Sequence, residues 1–397
     1  MKINGSAALL LALLILLQGC GQRKETPVPL AEPVEESAAN PEEGIIEELK
    51  LFSKAVSVIR YAYVEEKAPR ELLYDAVRGM MSALDKYSMF IDPEMYESLK
   101  MSMKGEYIGI GISLQIIDRY PHVGKLQDGS PAQKAGLELG DRILRVDGIS
   151  TEGLNVEEVS AKIRGEAGVP VVLSMLRPSL QKEWDVSLER EKIELVAIGD
   201  VRMVGRAIGY MRIDDFQDHT VEQFDKALKE LHDRGMEALI IDLRGNDGGL
   251  MPKAVEMAQR FIPKDQKILT VESKVPEQRK EYFSTGEHLE GNYPMIIIVD
   301  KLSASAAEIF TAAVQDHNRA KVVGTKTYGK ASVQSVIPFD DVSALKLTTA
   351  RYVSPKGRIL DQAGGLEPDY LVENLSPGEP NRDQQTLKAI ELLKQYY

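Results

Sequence analysis

Apolar side chains recur at helical spacing near the start of the chain. One face of a predicted helix carries Ile45, Leu49, Phe52, Val56 and Ile59. A second apolar stripe follows Pro69 and is made by Leu72, Leu73, Ala76, Val77, Met80 and Leu84. Two such helices cannot enclose a large core alone. They are therefore expected to pack on the rest of the chain or on a second copy of it.

Between residues 104 and 191 the pattern changes to short strands and turns. Tyr107 to Ile112 is typical of a strand punctuated by glycine. The turn and cap signals are Ser130-Pro131 before a short helix that ends at Gly136, Asp147-Gly148 at the end of a strand, and Asn155 before a helix that ends at Gly165. Val156, Val159 and Ile163 share one face of that last helix. The stretch is predicted to be a compact β-rich module.

From Ile193 onward, strands and helices alternate, which is typical of an α/β fold. The predicted elements are strands at Ala207–Ile213, Ala238–Leu243, Pro294–Asp300 and Thr348–Val353, and helices at Val221–Arg234, Ala306–Val314 and Gln384–Gln395. A glycine-rich turn, Arg244 to Gly249, directly follows a buried strand. Such turns are where α/β folds place their ligands, and this one lacks the G-K-[ST] ending of a phosphate-binding P-loop.

Ser305 lies where the Pro294–Asp300 strand gives way to a helix. Backbone N–H groups at a helix N-terminus are unpaired, so the position suits an oxyanion. The alternative is structural, because Ser305-Ala306-Ala307-Glu308 also fits the S-x-x-E capping box, in which the serine hydroxyl only satisfies a backbone amide.

Lys330 lies among small and apolar neighbours in the stretch Tyr328 to Gln334. A lysine acts as a general base only when it is neutral, and burial lowers its pKa toward that state. In an extended strand, Gln334 would lie about 13 Å from Lys330. If the chain turns there, the glutamine amide oxygen could hold the lysine amine.

These residues resemble the carboxy-terminal processing (tail-specific) proteases, a Ser–Lys peptidase family that carries a PDZ domain. The resemblance rests on S-A-S-A-A-E at Ser303 to Glu308, G-K-x-S-V-Q at Gly329 to Gln334, and D-L-R-G-N-x-G-G at Asp242 to Gly249. It implies a crotonase-like spiral α/β protease core (the ClpP/crotonase fold) with an inserted PDZ domain and N-terminal helices. The chain departs from the family pattern at Ala307, where a second serine is common, and at Asp247, where proline is common.

The resemblance also implies a role for each matching residue. Ser305 would be the nucleophile, Lys330 its base and Gln334 the partner of the lysine. A backbone N–H of Gly248 or Gly249 would form the oxyanion hole together with that of Ala306.

The β-rich module resembles a circularly permuted PDZ domain of the bacterial protease type. PDZ domains bind the C-terminal end of a peptide as an added strand. By resemblance, the carboxylate loop is Gly109, Ile110 and Gly111, and the side-chain pocket is lined by Ile110, Ile112 and Val159. Alone, the G-I-G sequence would equally fit a β-bulge.

Arg164 precedes Gly165 at the end of the predicted PDZ helix. The family resemblance places its matching arginine at the contact between the PDZ and protease domains, where it could report peptide binding to the catalytic loops. The alternative is a basic side chain that only complements the helix dipole.

Composition narrows the classes of partner. The net charge of −12 argues against a nucleic-acid partner. The five histidines show no metal-binding spacing, and no cofactor or metal is predicted. Polypeptides with exposed C-termini are the predicted substrates, with a homodimer or higher oligomer and a separate adaptor protein left open.

The start of the chain predicts export and lipidation. Lys2 precedes an apolar run from Ala7 to Leu17, which is too short to span a bilayer and fits a signal peptide. The run ends in Gln18-Gly19-Cys20, which resembles a bacterial lipoprotein cleavage box. The chain would then be anchored in the cell envelope through Cys20, facing the periplasm or the outside. An ordinary signal peptide cleaved nearby is the alternative.

The predicted organisation has six parts. These are a signal peptide (1–19), a disordered tether (20–44), an N-terminal helical region (45–103), the PDZ domain (104–191), the protease core (192–372) and a C-terminal helix (373–397). The predicted function is a serine endopeptidase that recognises substrate C-termini and processes or degrades extracytoplasmic proteins. The alternatives are a catalytically silent PDZ adaptor and an acyl-CoA thioester enzyme on the same fold.

Overall fold

A computed structural model describes residues 41–287, 290–339, 343–373 and 383–396. The predicted leader, Cys20 and most of the predicted tether lie outside these residues. The chain divides into two compact units, residues 1–72 and residues 73–397. No helix in the described ranges is both long enough and apolar enough to cross a membrane.

The predicted N-terminal helices are present as α1 (Pro41–Ala62) and α2 (Pro69–Ser82). The apolar stripe of α1 is largely exposed, with Ile45 and Leu49 at 59% and 58%. In α2 the inner face differs by one position from the predicted stripe, because Met81 is buried and Met80 is 62% exposed. Tyr74 shares that inner face by helical spacing, and its ring centroid lies 4.7 Å from that of Phe90.

A third helix, α3 (Pro93–Lys104), leads into the β-rich module. Asp92 caps its N-terminus by accepting from the Met95 amide, and Gly105 ends it at a φ of 77°, a conformation that favours glycine. Next come paired strands β2 (Glu106–Gly109) and β9 (Glu191–Glu194), which bracket the module in sequence.

The module is an antiparallel sheet with strand order β3-β4-β5-β7-β8, and β6 pairs with β5. Its elements are β3 (Ile112–Ile117), β4 (Tyr120–Leu126), α4 (Pro131–Lys134), β5 (Arg142–Val146), β6 (Ile149–Ser150), α5 (Val156–Ile163), β7 (Pro170–Arg177) and β8 (Lys182–Glu189). Asn155 caps α5 as predicted, and Glu158 completes a capping box there. Ser130 caps α4.

Helix α5 ends at Ile163, close to the predicted Gly165, but the glycine does not cap it. Gly165 does not adopt a positive φ, and the helix is capped from outside by the Arg190 guanidinium, which donates to the Ile163 carbonyl (2.6 Å) and the Lys162 carbonyl (3.3 Å). A Cβ on Gly165 would lie 3.0 Å from Arg190 Cζ. Gly165 therefore makes room for Arg190 and does not supply a left-handed turn.

The central sheet of the core has the strand order β10-β11-β12-β15-β16-β19. Strand β10 is antiparallel to β11, and the other pairings are parallel. The elements are β10 (Ile198–Val204), β11 (Ile208–Ile213), α6 (Thr220–Asp233), β12 (Ala238–Asp242), α7 (Met251–Ala258), β15 (Met295–Val299), α8 (Ala306–Asp316), β16 (Lys321–Gly324), β19 (Tyr370–Leu371) and α9 (Gln384–Leu393).

Helices cover both faces of this sheet. Leu239, Ile241 and Ile297 belong to a core with side chains of α6, α7 and α8. Their neighbours Ile240 and Ile296 point to the opposite face, where they pack with α9. Burial on both faces explains why the strands read as continuous runs of branched apolar residues.

A second sheet has the order β1-β18-β13-β14, with β17 also paired to β18. Its strands are β1 (Met89–Ile91), β13 (Lys267–Ser273), β14 (Lys280–Phe283), β17 (Ser332–Phe339) and β18 (Ser343–Val353). Antiparallel pairing of β1 with β18 brings the segment after α2 against residues 344–346.

Strands β12 and β15 are parallel neighbours, so their carboxyl ends meet at the same edge of the central sheet. The loop after β12 and the loop after β15 therefore lie side by side. Asp300 joins them, because its Oδ1 accepts hydrogen bonds from the amides of Gly245 (3.0 Å) and Leu302 (2.9 Å). The fold thus brings the predicted oxyanion loop against the predicted nucleophile.

Candidate active site

Ser305 is the residue immediately before α8, as the sequence predicts. Its backbone has φ 53° and ψ −114°, a conformation that residues with a side chain rarely adopt. Strained backbone of this kind costs on the order of 1–3 kcal/mol and clusters at functional sites. A serine on a strained turn between a strand and a helix is also the geometry that presents the nucleophile in α/β-hydrolases.

Glu308 is fully buried and holds the nucleophile segment against the base segment. Its carboxylate accepts hydrogen bonds from the amides of Ser305 (2.9 Å), Gly329 (2.8 Å) and Lys330 (2.9 Å), and from the Thr327 hydroxyl. Burial raises the pKa of Glu308 above its usual value, and these four hydrogen bonds act in the opposite direction. The sequence pattern identified Glu308 only as the third position of a capping box, and its wider role depends on contacts with residues about twenty positions later.

Tyr352 braces the same two segments from β18. Its hydroxyl donates to the Lys330 carbonyl and lies 3.4 Å from the Ser305 carbonyl. The ring is almost fully buried, and burial raises the pKa of its phenol well above the usual value. Sequence reasoning missed this residue, since a tyrosine in a strand gives no signal of a contact with a distant loop.

Lys330 is half-buried, and the pKa of its amine is lowered. The largest cause is burial, and the positive charge of Lys346 adds to it. Asp247, Tyr328 and Glu308 act against the shift. The direction is the one a lysine base requires, because a lower pKa leaves more of the amine neutral near neutral pH.

The proton-transfer contact is not formed in this structure. No hydrogen bond joins the Ser305 hydroxyl to the Lys330 amine, although the structure describes both residues. Gln334 likewise bonds elsewhere, because its amide nitrogen donates to Ser332 Oγ (2.8 Å) and Thr348 Oγ1 (3.4 Å). Catalytic contacts often tighten only when substrate is bound.

The glycine loop forms a close wall beside Ser305. A Cβ on Gly248 would lie 2.7 Å from Ser305 Cβ and 3.0 Å from the Ala306 nitrogen. Both Gly248 and Gly249 have φ above 110°, which an L-residue with a side chain avoids. The two glycines thus permit a close approach of backbone to nucleophile.

The predicted oxyanion donors differ in availability. The Gly248 amide donates to the side chain of Asn246 (2.9 Å), so it is already engaged. In the described part of the chain, the amides of Gly249 and Ala306 have no hydrogen-bond acceptor. Asn246, a fully buried residue that the analysis of the sequence missed as a site residue, also donates to the Ile213 carbonyl (2.8 Å) and accepts from the Ala304 amide (2.9 Å).

In the β-rich module, the predicted carboxylate loop connects β2 to β3. The carbonyls of Ile110 and Gly111 accept from the amides of Ala132 (3.0 Å) and Gln127 (2.9 Å). Strand β3 lies at the edge of its sheet, so one side of it is open to an added strand. Of the predicted pocket residues, Ile112 is half-buried, whereas Ile110 and Val159 are 1% and 0% exposed within the core. These two side chains present no surface to a ligand in this conformation.

Tyr107 lies beside the carboxylate loop. Its ring packs on Gly109, where a Cβ would lie 2.8 Å from Tyr107 Cε2, and the Gly111 amide lowers the pKa of its phenol. Arg164 is exposed, and its charge acts on the same phenol, lowering its pKa against the stronger effect of burial. Arg164 therefore lies near the carboxylate loop.

No cluster of metal-ligating side chains occurs among the described residues. Two of the five histidines flank helices of the core. His219 is exposed before α6, and His317, after α8, bonds the Lys267 carbonyl (2.7 Å).

Comparison with known proteins agrees with this geometry. The profile of Peptidase family S41 matches residues 207–372, and a PDZ domain profile matches residues 122–177. Carboxy-terminal processing protease CtpB of Bacillus subtilis is 34% identical over 325 residues, covering 81% of this chain and 67% of the relative. A carboxy-terminal-processing protease of Bartonella bacilliformis is 32% identical over 357 residues, covering 89% of this chain and 81% of the relative.

The fold agrees as well. The solved structure of a photosystem II D1 C-terminal processing protease superposes with a TM-score of 0.50 at 25% identity, covering 85% of this chain and 96% of that one. The core is thus the crotonase-like α/β fold of these peptidases with a PDZ insert and N-terminal helices, which confirms the predicted fold class. The chain belongs to the carboxy-terminal processing proteases, PDZ-containing serine peptidases of family S41.

Proposed function

We propose that this C-terminal processing protease uses Ser305 and Lys330 as its nucleophile and base. The observation that carries the proposal is the strained Ser305 backbone at a helix N-terminus, held by Glu308 against a lysine whose pKa is lowered. Neutral Lys330 takes the hydroxyl proton as Ser305 Oγ attacks the scissile carbonyl. The amides of Gly249 and Ala306 stabilise the oxyanion. Protonated Lys330 then gives its proton to the leaving amine, and water releases the acyl group.

Ser305→Ala tests the nucleophile. Loss of a nucleophile removes several orders of magnitude in rate, whereas loss of an N-cap costs only about 1 kcal/mol of stability. Cleavage of a denatured protein should disappear while the melting temperature changes little, and Ser179→Ala, an exposed serine between β7 and β8, should behave as wild type. A Ser305→Ala protein that melts early but still cleaves would restore the purely structural role.

Lys330→Arg tests the base. Arginine keeps the positive charge but does not deprotonate in the working pH range, so this variant should be inactive. Wild-type activity should rise with pH as Lys330 loses its proton. An active arginine variant would contradict the assignment.

The finer features of the function are also proposals. Substrates are polypeptides with exposed C-termini, which the PDZ domain would bind along the open edge of β3. They are extracytoplasmic, because the leader and Cys20 would place the enzyme in the cell envelope on a lipid anchor. Self-association through the exposed apolar face of α1 and delivery by an adaptor stay predictions.

Arg164 would report peptide binding to the catalytic loops. Its exposure and its closeness to Tyr107 in the carboxylate loop support the proposal. The test is cleavage of a small reporter peptide with and without a second, non-cleavable C-terminal peptide. Arg164→Ala should lose the response, and Arg145→Ala, an exposed arginine on β5, should keep it. An identical response in wild type and Arg164→Ala would leave Arg164 as a helix-end charge.

A further inference from the structure

The loop of residues 85–88, between α2 and β1, is rigidly built. Asp85 Oδ1 accepts hydrogen bonds from the amides of Tyr87 (2.7 Å) and Ser88 (2.9 Å), and its Oδ2 accepts from the Ser88 hydroxyl (2.8 Å). These bonds hold the backbone on both sides of Tyr87. The backbone that carries the Tyr87 side chain is therefore held locally by an acidic residue two positions earlier.

The same loop is fixed to the strand that faces Gln334. Thr348 on β18 donates its amide to Ser88 Oγ (3.0 Å) and its hydroxyl to Asp85 Oδ1 (3.3 Å). Gln334 in turn donates to Thr348 Oγ1 (3.4 Å). The loop thus belongs to the wall of the active site, although it lies more than 200 residues before Ser305 in the sequence.

Tyr87 presents its ring to the Lys330 amine. The distance from Lys330 Nζ to the ring centroid is 5.0 Å, which is within the range of a cation–π contact. Lys86 Nζ lies 4.9 Å from the same ring and donates to the Tyr328 hydroxyl (2.9 Å). Burial raises the pKa of the Tyr87 phenol, which favours the neutral form of the ring.

We propose that Tyr87 is a positioning residue whose ring stabilises the ammonium that forms on Lys330 when it takes the proton of Ser305. The inference rests on the proposed roles of Ser305 and Lys330. In the attack step, the Oγ–carbon bond forms, the carbonyl electron pair moves to oxygen and the proton moves from Oγ to Nζ. Positive charge thus develops in front of the ring, and an interaction that strengthens in the transition state raises kcat.

Other charged groups around Lys330 also shift the pKa of its amine. Asp247, Tyr328 and Glu308 favour the ammonium, and Lys346 disfavours it. All of them, and Lys86 beside the same ring, remain in a Tyr87 variant. A change in the pH–rate profile of such a variant is therefore attributed to the loss of the Tyr87 ring.

The test compares Tyr87→Leu with Tyr87→Phe. Leucine keeps apolar cover over the amine but removes the aromatic face, so kcat should fall by roughly 2–30-fold with little change in KM. Because the ring favours the charged amine, its loss should also move the midpoint of the rising pH–rate profile to lower pH. Phenylalanine keeps the face and should restore both quantities.

Tyr96→Leu is the matched control. Tyr96 on α3 pairs with Lys100 at 4.5 Å, a similar contact at a different place, and its loss should leave kcat and the pH midpoint unchanged. Rates are normalised to the concentration of folded enzyme, with Ser305→Ala and Lys330→Arg run alongside. Activity in either of those two would refute the proposed function itself. If both of those variants are inactive, two results would overturn the role of the ring. One is a pH–rate midpoint in Tyr87→Leu equal to that of the wild type, and the other is a kcat in Tyr87→Phe as low as that in Tyr87→Leu.

Discussion

Lys330 carries the charge on which the proposed chemistry depends, and charges of both signs surround it. Lys346 on β18 lowers its pKa and Asp247 in the glycine loop raises it. Asp247 is also the position where the family pattern commonly has proline. This chain therefore has an additional negative charge facing its base.

Opposite shifts of the pH–rate profile are expected from these two neighbours. A lysine base works above its pKa, so any change that raises the pKa moves the rising limb to higher pH. Lys346→Met removes a like charge and should move the limb to higher pH, and Asp247→Asn should move it to lower pH. Both variants are measured with a small reporter peptide at low salt, where exposed charges are least screened. Shifts in the same direction, or none, would contradict this electrostatic account of the site.

Glu308→Gln should weaken both the fold and the catalysis. The amide has one acceptor oxygen in place of two, so amides now held by the carboxylate lose their partner in a buried place. A buried unsatisfied donor costs about 1–3 kcal/mol. Thermal unfolding should show a lower melting temperature, and kcat should fall even at temperatures where the variant is fully folded. Normal kcat in the folded variant would mean that Glu308 acts only on stability.

Among the elements, those with a strong local pattern were predictable. The capping box of α5, the Ser130 cap of α4 and the buried strands β12 and β15 follow from residues within a few positions of each other. The group that caps the end of α5 was not predictable, because it is Arg190, 27 positions after the Ile163 carbonyl that it binds. The inner face of α2 was displaced for a related reason, since its Tyr74 packs on Phe90 from a later strand.

The same distinction between local sequence patterns and long-range contacts applies to the active site. Ser305 and Lys330 stand in recognisable motifs, and the structure brings their backbones together through Glu308. The roles of Tyr87 and Tyr352 depend on contacts between distant segments, which local sequence does not encode.

Tyr107→Phe should open the carboxylate loop between β2 and β3. The Gly111 amide is the kind of backbone donor that holds a peptide carboxylate in a PDZ domain, and it acts on the phenol oxygen of Tyr107, whose pKa it lowers. Removing the hydroxyl leaves that amide to a ligand while the ring still packs on Gly109. Affinity for a C-terminal peptide, measured by fluorescence anisotropy with Ser305→Ala as background, should rise by roughly 2–10-fold. Weaker binding would show that the hydroxyl supports the loop and does not compete with the ligand.

At the scale of the whole molecule, the proposed lipid anchor at Cys20 would determine where the protease acts. Cys20→Ala should move the protein from the membrane fraction to the soluble extracytoplasmic fraction, because a diacylglyceryl group supplies two chains, which is enough for stable binding. The measurement is fractionation followed by immunodetection, with cleavage of a soluble substrate as the control for folding. Retention of the variant in the membrane would point to another anchor.

The pairing of β1 with β18 has a consequence for how the enzyme folds to its active state. The Thr348 amide and Ser88 Oγ are 260 residues apart in sequence, and their bond completes the wall around Lys330. Contacts of such long separation form late, because the entropy of closing a long loop has to be overcome first. In a chain that is still being synthesised or refolding, Ser305 would be present before the wall around Lys330 has formed. We therefore expect peptidase activity to appear after secondary structure in a refolding experiment, so that a half-folded copy does not digest its neighbours.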